Sequence, residues 1–198
     1  LSLPAHNIHA AIEQNLILKA GSLGVRTAIM SLPLVYGMSR GSTPQNQYFK
    51  FYINAVIAHG RPFVVEAGQN IYNHSHVSDV ASAIETVVVE ALKGSNGNAT
   101  WGKDGYYFVE SLEAPFSHDS NVVGEVLLSH NLIKSGVIDH LNVADVDAIW
   151  SLGRFLWGSS TRCRSQKLKA LGWKPSVATR TADLRAMTEY EVCHRKAA

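Results

Sequence analysis

Short runs of β-forming residues alternate with apolar stripes at helical spacing along this 198-residue chain, and that alternation constrains the fold more than any other feature. Thr27-Ala28-Ile29-Met30 is an apolar run after a Gly-bounded turn, the mark of a buried, parallel strand. Phe63-Val64-Val65 and Ile71 to Val77 read as two short strands around Gly68, and Tyr106-Tyr107-Phe108-Val109 carries strong β formers. Ile8, Ile12, Leu16 and Lys19, widened by Ala10, Ala11, Ile17 and Leu18, predict a first helix closing near Gly21 and Gly24. Phe49, Ile53, Val56 and Ile57 predict a second over Gln45 to Ala58, stopped by Gly60. The best-defined helix runs from Asp79 to Leu92, with Ser78 as N-cap, Val80, Ile84, Val87, Val88 and Leu92 as its stripe, and Gly94 at its end. Ser117 to Ser135 (Ser117 as cap), Ala144 to Trp157, Ser165 to Leu171 and Ala182 onward also read as helical. The fold class is therefore α/β, with helices outnumbering strands in the second half.

Composition narrows the function classes. Apolar residues make up 46% and charged residues 17%, ordinary for a globular domain, and a net charge of +2 gives no footprint for nucleic acid. The basic residues near the tail, Arg162, Arg164, Lys167, Lys169 and Lys174, read as a solvated helix face. Two cysteines without a pairing pattern, Cys163 and Cys193, suit free thiols in a reducing cytosol, so a cytoplasmic location is expected. No apolar run approaches the roughly 18 residues that would span a bilayer. The start, Leu1-Ser2-Leu3-Pro4, has neither initiator Met nor signal-peptide pattern and reads as that of a fragment. Asn98-Ala99-Thr100 fits a glycosylation sequon, which carries no weight without a secretory signal.

Several ordered segments carry a family resemblance. Ile12-Glu13-Gln14 with Leu16-Ile17 is similar to the helix after a catalytic Tyr-x-x-x-Lys, and Thr27 to Gly37, ending Val35-Tyr36-Gly37, to the next strand and its exit. His76-Val77-Ser78-Asp79-Val80 resembles the entry to a later helix, Gly105 to Val109 the strand beyond it, and Lys167 to Pro175, with Leu171-Gly172-Trp173, a terminal element. Together these resemble the extended short-chain dehydrogenase/reductases, in their atypical epimerase/dehydratase-like or NmrA-like flavour. The resemblance implies the C-terminal portion of a Rossmann-like fold: a few parallel strands plus a helix-rich substrate-binding lobe. It implies one α/β unit over residues 1–198, in which part of an NAD(P)-binding half (about 1–110) interleaves with a substrate-binding lobe (about 111–198).

The chemistry such a family needs is incomplete here. No Gly-rich turn follows a first strand; Gly21 and Gly24 follow a helix, and Gly94, Gly97 and Gly102 read as caps and turns. No Tyr-x-x-x-Lys occurs, and in the family register Ala5 stands at the Tyr position and His9 at the Lys position. The resemblance assigns His9, Ser31 and Pro33 to contact with NAD or NADP, and Tyr36, His76 and Arg162 to substrate, Arg162 because a guanidinium suits phosphate. Each has a plainer reading: an exposed helical His, a turn-shaping Pro, a packed Tyr, a surface ion pair for Arg162. His74 and His76 share a strand face near Asp79, but a His76–Asp79 hydrogen bond at the helix start is the better reading than a metal site. Cys163, between two arginines, reads as a plain thiol.

Three functions stay open: an NAD(P)-dependent epimerase, dehydratase or reductase acting on a small or nucleotide-linked metabolite; a non-catalytic NAD(P)-sensing or protein-interaction regulator of NmrA type; and a non-redox isomerase or lyase. Partners are a small-molecule substrate and a homodimer mate, with neither nucleic acid nor membrane. A chain beginning at Leu1 should expose apolar surface on Thr27 to Met30, where a further sheet would pair.

Overall fold

The computed structural model describes residues 9–41, 46–177 and 180–195. Its elements in chain order are α1 (Ala10–Ser22), β1 (Ile29–Ser31), β2 (Leu34–Tyr36), α2 (Gln47–His59), β3 (Phe63–Val65), β4 (Ile71–His76), α3 (Val77–Leu92), β5 (Tyr106–Phe108), β6 (Leu112–Pro115), α4 (Phe116–Ser129), β7 (Asp139–Leu141), α5 (Val143–Ile149), α6 (Gly153–Trp157), α7 (Gln166–Ala170) and α8 (Arg180–His194). They fall into two compact units, one of residues up to Leu32 with Val80–Val109 and Arg164–Lys174, the other of Pro33–Asp79, Glu110–Cys163 and Pro175 onward. No described helix is long and apolar enough to cross a membrane.

In the first unit β1 and β5 form a two-stranded parallel sheet, with Ile29 opposite Tyr106 and Ser31 opposite Phe108. The expected strand starts two residues late, and its residues are half-buried where full burial was expected. α7 ends as its sequence predicts. Gly172 takes a left-handed φ of 92°, the Trp173 N–H reaches back to the Leu168 carbonyl at 3.0 Å and the Gly172 N–H to Lys169 at 3.0 Å. This Schellman turn folds Trp173 onto the unit's core, 3% exposed, where its indole N–H donates to Ser82 Oγ at 3.0 Å.

The second unit is built on β4. β2 runs parallel to its second half, with Tyr36 opposite His76, while Thr161 bridges its first half on the same side. β6 runs antiparallel along the other side, Glu113 opposite Asn73. β3 and β7 form a separate parallel pair. The core gathers α2, α4 and α8 around interlocked aromatic rings: Tyr52 meets Phe63, Phe116 and Trp157 edge-on at 5.2, 4.8 and 5.7 Å.

Several expectations are corrected. α1 forms, but Ile12, expected on its inward stripe, is 69% exposed, while Ile17 is buried; Ile8 lies outside the described residues. α3 starts at Val77, so Ser78 lies inside it, and the His76 imidazole instead accepts the Ser78 N–H. α4 starts at Phe116 without a side-chain cap and stops at Ser129. The expected helix over 144–157 is two, because Gly153 packs so tightly that a Cβ there would meet Val146 Cγ1 at 2.7 Å and its carbonyl at 2.9 Å. β2, β6 and β7 were not foreseen: they are three- and four-residue strands, two of them with Glu-Ala-Pro and Asp-His content that propensity reads as turn.

Trp173→Ala should lower the stability of the chain by about 3–5 kcal/mol, the cost of truncating a buried aromatic. Urea midpoints followed by far-UV circular dichroism check it.

Candidate functional site

Parallel strands leave their carboxyl ends open to ligands, and in the second unit β2 and β4 end side by side on Tyr36 and His76. The two rings meet edge to face with centroids 5.4 Å apart. The chain leaves β2 at Gly37 with φ of 90°, and a Cβ there would lie 2.2 Å from His76 Nε2, so only glycine fits beside this imidazole. Because His76 Nδ1 accepts the Ser78 N–H at 3.2 Å, a neutral ring carries its proton on Nε2. Among the described residues nothing accepts that proton, and His76 is half-buried. It is an oriented, accessible donor.

Tyr36 is fully buried and donates its hydroxyl to the Val177 carbonyl at 3.3 Å. Burial, then Asp183 and Asp79, push its phenol up to about 12 against the opposing charge of Arg180. Asp79 does not pair with His76. Its buried carboxylate accepts from the Ser176 N–H (2.9 Å) and hydroxyl (3.1 Å), from the Val177 N–H (3.4 Å) and from the Ser111 hydroxyl (3.4 Å). The carboxylate at the start of α3 thus pins the 176–177 strap whose carbonyl holds Tyr36.

Behind the pair lies a charged cluster that sequence reasoning missed. Arg180, 6% exposed, is ion-paired to the fully buried Asp119 and donates to His74 Nε2 at 2.9 Å. His74 in turn donates from Nδ1 to the Tyr72 carbonyl at 3.0 Å, which fixes a neutral ring with Nε2 as acceptor. Burial and then the Arg180 charge pull His74 down to about 3, against that carbonyl bond. Burial also lowers Arg180 to about 10, still far above neutrality. The signal was available: Asp119 sits between Phe116 and Val123 on the apolar face of α4, and Arg180 precedes Leu184 and Met187 on that of α8.

The other expected residues lie elsewhere. Arg162 pairs with Glu113 at 2.7 Å, beside the middle of β4, and is over half exposed. His9 is the exposed residue preceding α1, and Ser31 ends β1, its carbonyl accepting the Val109 N–H at 3.0 Å; both belong to the first unit. Pro33 opens the second unit, and Ala5 lies outside the described residues. Cys163 is raised by burial and then by Glu110 and Glu113, the opposite of an activated thiol. Among the described residues no three His, Cys, Asp or Glu side chains gather as a metal site. A separate concavity of about 410 Å³ lies at the other end of β4, between Glu66–Asn70, Arg154 and Ser160.

No protein-family model matches the chain. A curated relative, the oxidase ucsJ of an Acremonium species, is 22% identical over 175 residues, 84% of this chain and 50% of its own length. The UDP-glucose 4-epimerase of Thermus thermophilus, solved with NAD, superposes at TM-score 0.58 with 17% identity, over 94% of this chain and 53% of its own. A dTDP-glucose 4,6-dehydratase of Streptomyces venezuelae, also with NAD, superposes at 0.62 with 15% identity, over 94% and 50%. The fold is that of the extended short-chain dehydrogenase/reductases. The chain spans about half the length of the relatives it matches, the C-terminal half of that fold.

The geometry carries two predictions. An unfolded imidazole protonates near 6.5 and His74 in the folded chain only near 3, so within that window the unfolded chain binds the extra proton. This contribution is complete above the upper value and is lost as pH falls, at roughly 1.4 kcal/mol per pH unit. Urea midpoints measured across this range should follow that slope, and His74→Gln should remove that part of it. Gly37→Ala should cost about 1–3 kcal/mol in stability through its left-handed backbone and shift the His76 ring resonances in NMR spectra.

Proposed function

We propose that this chain forms the substrate-side half of an NAD(P)-dependent protein of epimerase/dehydratase type, acting on a small or nucleotide-linked metabolite. The observation that carries this reading is the His76 Nε2 donor, held in one tautomer at the carboxyl end of a parallel strand pair. Such a donor suits a hydroxyl or phosphoryl oxygen of a sugar-nucleotide. Tyr36 shapes the floor beneath it, and Arg162 meets a phosphate only by leaving Glu113. By resemblance, His9, Ser31 and Pro33 are assigned to the cofactor.

One observation favours a second reading, a sensor that binds NAD(P) without turning a substrate over. Tyr36 is buried, already hydrogen-bonded and keeps its proton to about 12, so it supplies a neutral dipole and no acid or base near neutrality. No tyrosine in the chain has a lysine four residues on.

Calorimetric titration with NAD, NADP, UDP-glucose and dTDP-glucose, followed by turnover assays with the same sugars, separates the readings. Under the first, His76→Ala weakens sugar-nucleotide binding about tenfold, the worth of one hydrogen bond, while far-UV circular dichroism shows the fold retained. Unchanged affinity in that variant removes the site. Dinucleotide binding without turnover of any sugar favours the sensor.

A further inference from the structure

A helix normally turns an apolar stripe to the core it covers, yet the buried face of α8 is Arg180, Leu184, Met187, Thr188 and Glu191. α2 instead buries Tyr48, Phe49, Tyr52, Ile53, Ala55 and Val56, all apolar or aromatic. Charge does for α8 what apolar contact does for α2. Arg180 pairs with the buried Asp119, and nearer the surface Arg185 pairs with Glu125 of α4 and Glu191 with Lys50 of α2 at 3.9 Å. Glu189 accepts from His130 at 2.6 Å, and the Arg195 guanidinium donates to Asn54 Oδ1 at 3.3 Å. Exposed pairs of this kind are individually weak and are screened by salt. Elements with few buried apolar contacts open locally, below the cost of global unfolding.

What α8 closes over is the Tyr36 side of the candidate site. Met187 Sδ accepts the Gly37 N–H at 3.2 Å, one residue beyond the phenol. Burial and then Asp183, in the first turn of α8, push that phenol up to about 12. In the strap that precedes the helix, the Val177 carbonyl takes the Tyr36 hydroxyl at 3.3 Å. Docked, the helix and strap leave Tyr36 without solvent and with its proton already donated. Lifted, they leave the ring where it stands, 5.4 Å from that of His76, with its hydroxyl open. Freed of burial and of Asp183, the phenol returns towards its ordinary value near 10, so at about pH 8 it is roughly a hundredfold more often a phenolate.

We propose that α8 and the Ser176–Val177 strap are a salt-labile latch over Tyr36: docked, they keep the phenol out of the site, and their undocking delivers it beside His76. The latch rests on the same Tyr36–His76 site as the proposed function, but its test uses no ligand, so the two fail separately. Tetranitromethane nitrates accessible phenolates, and peptide mapping of the 198-residue chain reads each tyrosine by itself. Tyr36 should be nitrated at least about fivefold faster in about 1 M than in about 0.05 M sodium chloride, the combined worth of a few screened surface pairs. Tyr52, fully buried in the aromatic core, should stay unreacted at both concentrations. Over the same range the amides of 184–192 should lose protection in hydrogen–deuterium exchange, while those of 52–56 in α2 keep theirs. A chain carrying Lys50→Gln and Glu125→Gln together, which lacks both outer pairs, should show the high-salt rate already at low salt. Nitration of Tyr36 that ignores salt overturns the proposal, as does a double variant that reacts no faster than the parent at low salt. So does nitration of Tyr52 in step with Tyr36, the mark of global unfolding. Loss of protection in α8 with Tyr36 still unreactive also overturns it, because the strap then stays closed without the helix.

Discussion

A guanidinium taken almost wholly out of water has to be neutralised where it lies, and the second unit is organised around that requirement. Arg180 opens α8, Asp119 sits in the first turn of α4, and His74 is in the middle of β4. The ion pair and the Arg180–His74 hydrogen bond therefore tie two helices to the central strand at one buried point. Breaking one partner would strand a charge in an apolar interior, which typically costs about 3–5 kcal/mol. The same bonds keep His74 neutral with its proton on Nδ1, so β4 carries an uncharged imidazole through the core and an available one, His76, at its end.

The candidate site inherits its order from that anchoring. Asp79 fastens the strap at Ser176 and Val177, three to four residues before Arg180 begins α8. The strap carbonyl takes the Tyr36 hydroxyl, the Gly37 N–H donates to Met187 Sδ on α8 at 3.2 Å, and Gly37 leaves room for His76. Ion cluster, strap and ring pair are successive links, and the last presents an imidazole N–H to solvent. The chemistry this permits is recognition by an oriented donor. Proton transfer from Tyr36 is disfavoured by the same burial that holds it in place.

The elements with a strong local signal were legible in the sequence. Gly60 and Gly172 mark the ends of α2 and α7, and the run from His76 to Val80 announces the start of α3. What was misread depended on partners far along the chain. β6 forms because β4 lies beside it, in spite of Glu113 and Pro115. The break between α5 and α6 follows from the approach of Gly153 to Val146. On α3, spacing alone cannot say which of two apolar faces is covered, so Ile84 and Val88 read the same as Val80 and Val87.

By itself, the sequence determined the α/β class, the glycine stops of α2 and α7, and a glycine, tyrosine and histidine in the segments that end β2 and begin α3. Those depend on interactions within a few residues, where backbone sterics and spacing decide. Only the tertiary structure decided that Tyr36 and His76 stand opposite each other, that Asp79 serves the 176–177 strap, and that Arg180, Asp119 and His74 share one buried site. Each of these joins residues 40 to 106 positions apart. Burial sets their energies, and burial belongs to the folded chain as a whole.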